Sequence, residues 1–355
     1  MGKRSSIGLI LNGLPLEALR HYAREADRRM AHSLWFPEIS FTDAFTPITL
    51  AAVETRSAFL GTGVVGPWGR SPVVMALTAA TLGTLSSGRF VLGIGTQARP
   101  YVTNWHGRNY ERPLRAMREY VTILKRILSG ETVSFEGEIF RVRNFRLTFP
   151  PARPVPVYMA AVGPEMIELA GEIADGIIGA LWSVEYVRDV VRPHLAVGAA
   201  RAGRRPEDVT VTLNLPTLVS EDADAHELHR GIVLTFATAE ASSRAYVASV
   251  AAAGHGAALA RAVACVERRD WNGAFTALSD DMVDALTLTG SVANVHRRVA
   301  ADRAAGVDAV MAMPSQPGMF YPLYEGHLAG APFPPFDAAA FTASLERALE
   351  AIETA

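Results

Sequence analysis

Eight short apolar runs punctuate this chain, and stretches of helical periodicity lie between them. The runs are Ile7–Leu11, Leu34–Phe36, Phe59–Val65, Phe90–Ile94, Val155–Val162, Gly176–Ala180, Val209–Val219 and Val307–Met313. Between them apolar residues recur every three or four positions, as in Leu16, Leu19, Ala23, Ala26 and Met30, or Leu114, Met117, Val121, Leu124 and Leu128. A strand that is apolar at nearly every position is covered on both faces, which is the signature of a parallel sheet wrapped by helices. Eight strand–helix units predict an α/β fold of the (β/α)8 TIM-barrel type.

The pattern breaks in two places. Thr132–Pro150 alternates apolar and polar residues around Gly137 and predicts a β-hairpin inserted after the fourth strand. Glu221–Ala285 is alanine-rich and almost wholly helix-forming, predicting a helical insertion between the seventh and eighth strands at the rim where a site would lie. "APFPPF", residues 331–336, reads as a linker into a last amphipathic helix, Ala338–Ile352. The expected organisation is one barrel domain over residues 1–330, with insertions at 132–150 and 221–285, followed by linker and helix at 331–355.

Composition narrows the function classes. With 355 residues, 49% apolar and 20% charged, the chain can bury a large core. Its 34 basic and 36 acidic residues leave a net charge of −2, without the basic excess of a nucleic-acid binder. Cys265 is the only cysteine, which excludes an internal disulfide or a cysteine-built metal cluster, and it reads as a small buried helix residue. No apolar run approaches the ~20 residues of a membrane span. The N-terminal run ends after five residues at Asn12, too short for a signal peptide. "MGKRSS" fits a myristoylation pattern, but a strand follows it at once. A cytoplasmic enzyme acting on a small molecule, without nucleic-acid, membrane or metal partners, is expected.

In a barrel of this kind, chemistry sits in the loops after the strands. Four of these loops are unusual. "LGTGVVGPWGRSP" places Gly61, Gly63 and Gly66 along a run that should be a buried strand, where glycine costs about 0.5–1 kcal/mol relative to alanine. Either a bulge lies there, or something flat approaches the backbone. "FVLGIGTQA" contains G-x-G-x-x-A, yet "RPYVTNWHGRNYERP" intervenes before a helix begins near Pro113, so a dinucleotide fingerprint lacks its helix. Tyr101, Asn104, Trp105, His106, Asn109 and Tyr110 form one wall of a pocket, or simply pack the loop. "VYMAAVGPEM" leads into a helix with Pro164 in its first turn, a place for an anion, although Glu165 opposes one placed too close. Glu38 stands at the end of the second strand. "HELH", residues 226–229, reads as a solvated helix surface, since no third metal ligand is near.

Taken together, "LGTGVVGPWGRSP", "LSSGRFVLGIGT", "NWHGRNYERPL", "REYVTILKRILSGETVSFEG", "PVYMAAVGPEMIELAGEIADGI" and "DDMVDALTLTGSVANVHRRVAADRAAGVDAV" resemble the luciferase-like superfamily over roughly residues 6–315. The likeness is greatest to the branch that uses coenzyme F420, a deazaflavin, and that includes methylene-tetrahydromethanopterin reductase. The resemblance implies an oxidoreductase moving a hydride between F420 and a small organic substrate. FMN and monooxygenase chemistry on the same fold, or ligand binding without turnover, are the rival readings. It further implies a non-prolyl cis peptide at Gly63–Val64 backing the cofactor ring with Val65, a cofactor trough lined by Gly95, Thr96 and Gln97, and a phosphate site at Ala161, Val162, Gly163, Pro164, Glu165 and Met166. Glu38 and His106 are the candidates for proton transfer or substrate orientation, and a homo-oligomer, a dimer, is expected.

The chain departs from that family at informative positions. Glu38-Ile39 stands where many deazaflavin members carry an Asp-His pair, and "TQARP" replaces the usual glycine-rich loop after the fourth strand. Glu165 occupies a place that is often basic or neutral in relatives.

Overall fold

The computed structural model describes residues 5–11, 13–39, 42–221, 225–238, 243–315 and 338–354. Eleven strands follow one another: β1 (Ile7–Ile10), β2 (Ser33–Phe36), β3 (Phe59–Thr62), β4 (Phe90–Ile94), β5 (Val133–Glu136), β6 (Arg141–Phe145), β7 (Val157–Ala160), β8 (Gly176–Ala180), β9 (Thr210–Val219), β10 (Leu288–Gly290) and β11 (Ala309–Pro314). All but β5, β6 and β10 are the eight strands expected, and they form a closed parallel barrel with helices between successive strands. β5 and β6 pair antiparallel as the inserted hairpin. The linker expected at 331–336 lies outside the described residues.

The chain divides into two compact units. One comprises Ile10–Ile178 with Pro193–Val211, and holds β2, β3, β4 and β7, each hydrogen-bonded to the next, with the hairpin. The other comprises Met1–Leu9, Gly179–Arg192 and Thr212–Ala355. It pairs β1 with β11, β11 with β9, and β9 with the short β10, a strand that the sequence pattern missed because three residues carry no periodicity. Helices Ala225–Thr238, Ser243–Ala252, Gly256–Glu267, Trp271–Thr276 and Asp280–Asp284 form the helical insertion. Its own core includes Val233, Leu234, Val250, Leu259 and Met282, with Cys265 packed half-buried at its edge.

The first unit explains the glycines of the strands by size complementarity. Trp35 on β2 stands opposite Gly61 on β3, and a Cβ at Gly61 would lie inside the Trp35 ring. Tyr158 on β7 stands opposite Gly176 on β8 and Gly93 on β4, and a Cβ at Gly176 would come within 2.7 Å of its ring. The two aromatic rings lie 6.1 Å apart. Large side chains filling space left by small ones on neighbouring strands is how a narrow barrel interior reaches close packing. The flat group that approaches Gly61 is therefore the protein's own indole.

"HELH" corrects the expected solvated face. His229 is fully buried in the second unit, its Nδ1 2.6 Å from Thr289 Oγ1 and its Nε2 3.5 Å from Ser315 Oγ. His226 pairs with Asp284 at 2.8 Å. The helix carries His229 inward because Ile232 and Val233 on its neighbouring turn face the core.

Candidate functional site

All the residues singled out for the site lie in the first unit. Past Thr62 the third strand stops pairing regularly, and the peptide bond Gly63–Val64 is cis, at the position the resemblance indicated. The segment is held from both sides. Gly63 N–H donates to Phe36 O at 2.9 Å and Glu38 N–H to Val64 O at 3.3 Å, while Val65 N–H donates to Gly93 O at 3.1 Å and Gly95 N–H to Val65 O at 3.0 Å. Thr62 Oγ1 ties β3 to β4, donating to Gly93 O at 2.7 Å and accepting from Gly93 N–H at 2.8 Å. Gly95 has no room for a side chain, because a Cβ there would come within 2.7 Å of Val64 and 3.0 Å of Ala160. Gly63, Val64, Val65 and Gly95 thus form one continuous patch of backbone at the strand ends.

Glu38 projects from the end of β2 onto the loop that follows β3. Its Oε2 accepts from Arg70 Nη1 at 2.7 Å. The Arg70 guanidinium also lies over the Phe45 ring at 4.7 Å, and Arg70 O accepts from Tyr120 Oη at 2.9 Å. The hydrogen bond to Glu38 raises the Arg70 pKa above its usual range in spite of burial. Burial pushes the Tyr120 phenol up as well. His106 reaches the same turn from the fourth loop: its Cε1 lies 3.3 Å from where a Cβ on Gly69 would stand. The turn Gly66–Arg70 therefore brings Glu38 and His106 to adjacent residues. Arg70 was the residue missed from sequence. Its sequence signal is a lone cation inside "GPWGRSP".

The fourth loop begins with two held residues. Thr96 O accepts from Trp68 Nε1 at 3.0 Å. Gln97 adopts a left-handed backbone, φ 58°, which glycine takes freely and other residues take at a cost of roughly 1–2 kcal/mol. Its carboxamide lies on Gly66, so closely that a Cβ at Gly66 would overlap it. Oε1 is buried and accepts no hydrogen bond among the described residues. A π-helical turn, Tyr101–Trp105, follows, with Tyr101 and Trp105 stacked at 4.1 Å and 5°, and Trp105 exposed. Tyr110 packs between Trp68, 6.1 Å away, and the Arg99 guanidinium, 4.9 Å away. The regular helix starts at Pro113, as the loop length required.

After β7, Ala161 N–H donates to Ile178 O at 3.2 Å, and Gly163 caps the helix Pro164–Ile173 in an extended conformation with no side-chain cap. A Cβ built on Gly163 would meet nothing within 4 Å, so this helix start is open. Val162 and Met166 flank it half-buried, and Glu165 is exposed in the first turn.

Comparison with known proteins places this architecture. The family model described as luciferase-like monooxygenase matches residues 4–309. The chain belongs to the luciferase-like monooxygenase family. It is 29% identical over 306 residues to the 5,10-methylenetetrahydromethanopterin reductase of Archaeoglobus fulgidus, covering 83% of this chain and 90% of that protein. It is 37% identical over 177 residues to the F420-dependent glucose-6-phosphate dehydrogenase of Nakamurella multipartita, covering 48% of this chain and 51% of that one. Among solved structures, the coenzyme F420 dependent tetrahydromethanopterin reductase of Methanopyrus kandleri matches with a TM-score of 0.74 at 22% identity, over 93% of this chain and 98% of that one.

Proposed function

We propose that this protein is a coenzyme F420-dependent oxidoreductase that transfers a hydride between the deazaflavin and a small organic substrate. The observation that carries this reading is the near full-length sequence match to methylenetetrahydromethanopterin reductases, at 29% identity over 80–83% of the chain. Analogy of fold alone would not carry it, because one barrel supports many chemistries.

The residues present fit such a cofactor. Gly163 leaves open space at a helix start suited to a phosphate, and Gly63, Val64, Val65 and Gly95 form a continuous stretch of backbone that a flat ring can approach. When bound, the deazaflavin supplies the two-electron hydride chemistry. On this reading Gly63, Val64 and Val65 back the ring, Gly95, Thr96 and Gln97 line its trough, and Ala161–Met166 hold the phosphate. Glu38 and His106 orient substrate or move a proton, with Arg70 fixing the Glu38 carboxylate. Three protein groups around one turn supply positioning, which is the protein's share of a cofactor reaction.

Fluorescence titration of the purified protein with F420 and with FMN tests the reading. Tight F420 binding without FMN binding is expected. The reverse would favour oxygen chemistry, in line with an FMN-bound type II Baeyer-Villiger monooxygenase of Pseudomonas putida that matches this fold with a TM-score of 0.63 at 18% identity, over 99% of this chain and 98% of that one.

A second copy of the chain is the other part of the proposal. Helix Pro72–Leu85 carries no charged residue, and Val74, Leu77 and Leu85 are 49%, 47% and 43% exposed, beside Val53 at 64%. Exposed apolar side chains grouped on an uncharged helix are ordinarily covered by a partner. Light scattering should give a dimer mass, and Leu77→Glu should give a monomer. A wild-type monomer at micromolar concentration would refute this part.

A further inference from the structure

Arg70 is anchored from three elements. Its guanidinium lies 4.7 Å over the ring of Phe45, on the helix Phe45–Glu54. Its carbonyl accepts from Oη of Tyr120, on the helix Pro113–Leu128, at 2.9 Å. Its Nη1 donates to Oε2 of Glu38, past the end of β2, at 2.7 Å. The other titratable groups around it are committed elsewhere. Asp43 Oδ1 accepts from the backbone N–H groups of Phe45 and Thr46, both at 2.9 Å, and burial raises the Tyr120 pKa so that it stays a neutral phenol. His106 packs on the neighbouring Gly69. Glu38 is held by one oxygen only. Its Oε1 has no hydrogen-bond partner among the described residues, and the Glu38 side chain stays 17% exposed, that of Arg70 25%. Glu38 N–H donates to Val64 O at 3.3 Å, which sets the residue beside the Gly63–Val65 stretch.

We propose that Arg70 is a positioning residue: it occupies one oxygen of Glu38 and so presents the other, Oε1, as a fixed acceptor for a substrate that brings an N–H or O–H donor. This rests on the reading above for where the substrate lies, and it decides between the two tasks that reading leaves to Glu38. A guanidinium keeps its charge at any working pH, and the carboxylate paired with it is acceptor-only, so Glu38 receives a hydrogen bond and has no proton to give. Fixing the side chain before the substrate arrives removes an ordering cost from binding. Lysine would serve less well, because its point charge has no planar group to rest on Phe45.

The test uses ligand-free protein labelled with carbon-13 at the glutamate carboxyl, the Glu38 resonance being the one that Glu38→Gln lacks. The probes are acetamide and N,N-dimethylacetamide at neutral pH, which share a carbonyl and differ in their N–H groups. Acetamide should shift the Glu38 resonance saturably, and N,N-dimethylacetamide should leave it in place. Arg70→Met should raise the acetamide dissociation constant about two- to tenfold, the range for ordering one side chain on binding, with Arg70→Lys between it and wild type. An unmoved Glu119 resonance shows in each case that the fold is kept. Should Arg70→Met fail to fold, Arg70→Lys is scored in its place, with a loss of about twofold expected. Equal responses to the two probes would put the ligand on the N–H groups of Arg70 and overturn the proposal. So would a Glu38 resonance that neither probe moves, or a variant whose acetamide affinity equals that of wild type. The cofactor takes no part in these measurements, so the two claims fail separately. Wild type that does not bind F420 sinks the reading above and leaves the acceptor result standing.

Discussion

Two polar side chains in the same compact unit are folded against loops, and they end in opposite states. Glu119, on the helix Pro113–Leu128, is 4% exposed and accepts from the backbone N–H groups of Glu138, Ile139 and Phe140, each at 3.0 Å. These are the turn residues of the inserted hairpin, so one carboxylate closes the loop onto the barrel wall. Gln97 is packed against the loop that follows β3, over Gly66, and its oxygen accepts nothing among the described residues. Burial of a polar group is tolerated when its bonds are made and costs about 1–3 kcal/mol when they are not. The hairpin is finished scaffold; the β4 loop carries a buried acceptor whose hydrogen bond is not made among the described residues.

The largest effect should come from breaking the closed member. Glu119→Ala strands three backbone donors and should lower the unfolding free energy by about 2–4 kcal/mol, with Glu119→Gln losing less. Urea unfolding measures both, and F420 affinity should stay at the wild-type value in the folded protein. A loss below 0.5 kcal/mol (about the scatter for surface substitutions) would mean that the hairpin does not depend on this clamp.

His229 extends the comparison into the second unit, as a buried group satisfied by Thr289. Burial, and then the neighbouring His226, hold its pKa down at about 3 against an ordinary 6.5. The folded protein therefore keeps His229 neutral while the unfolded chain protonates it. Its stability is intact above pH 6.5 and is lost as pH falls from there toward 3, at about 1.4 kcal/mol per pH unit. Asp302 works the other way. Burial raises it to about 6 despite its bonds to Arg298 at 3.0 and 3.1 Å, so it takes up its proton first in the folded state and stabilises as pH falls from about 6 toward 3.8. The contribution of His229 is thus read as a difference. Between pH 6 and 4, the stability of wild type relative to His229→Asn should fall by about 1.4 kcal/mol per unit. A constant difference would show that His229 titrates normally.

The smallest effect belongs to the open helix start. Glu165 is an exposed carboxylate at the first turn, where a bound phosphate would feel its charge. Glu165→Lys should leave the F420 dissociation constant unchanged or lower it by about two- to fivefold. A tenfold rise would reveal that Glu165 itself grips the ligand.

Much of this molecule could be read along the chain. The eight strands appear where apolar runs predicted them, with ends shifted by at most three residues, as in Phe59–Thr62 inside Phe59–Val65. The hairpin is legible because strict alternation has only one use at a solvent-facing sheet. The candidate site was legible unevenly. Gly63–Val64 and the helix start at Gly163 stand in motifs that survive as words in the sequence. Arg70 and the buried oxygen of Gln97 do not, because each is defined by a partner, or the lack of one, brought near by another loop. "HELH" misled for the same reason: two histidines three residues apart reveal a shared helix face, and only packing tells whether that face meets water.

The division is physical. Periodicity, turn residues and charge are local quantities, and they determined the strand–helix alternation, the two insertions and the approximate place of the strand-end loops. Tertiary structure decided whatever depends on long-range distance. Trp35 filling the space at Gly61, Arg70 meeting Glu38 across 32 positions of chain, and Gln97 lying on Gly66 with an unanswered oxygen are all such cases. A side chain's hydrogen-bonding capacity is written in the sequence, but whether it is met is a property of the space around it.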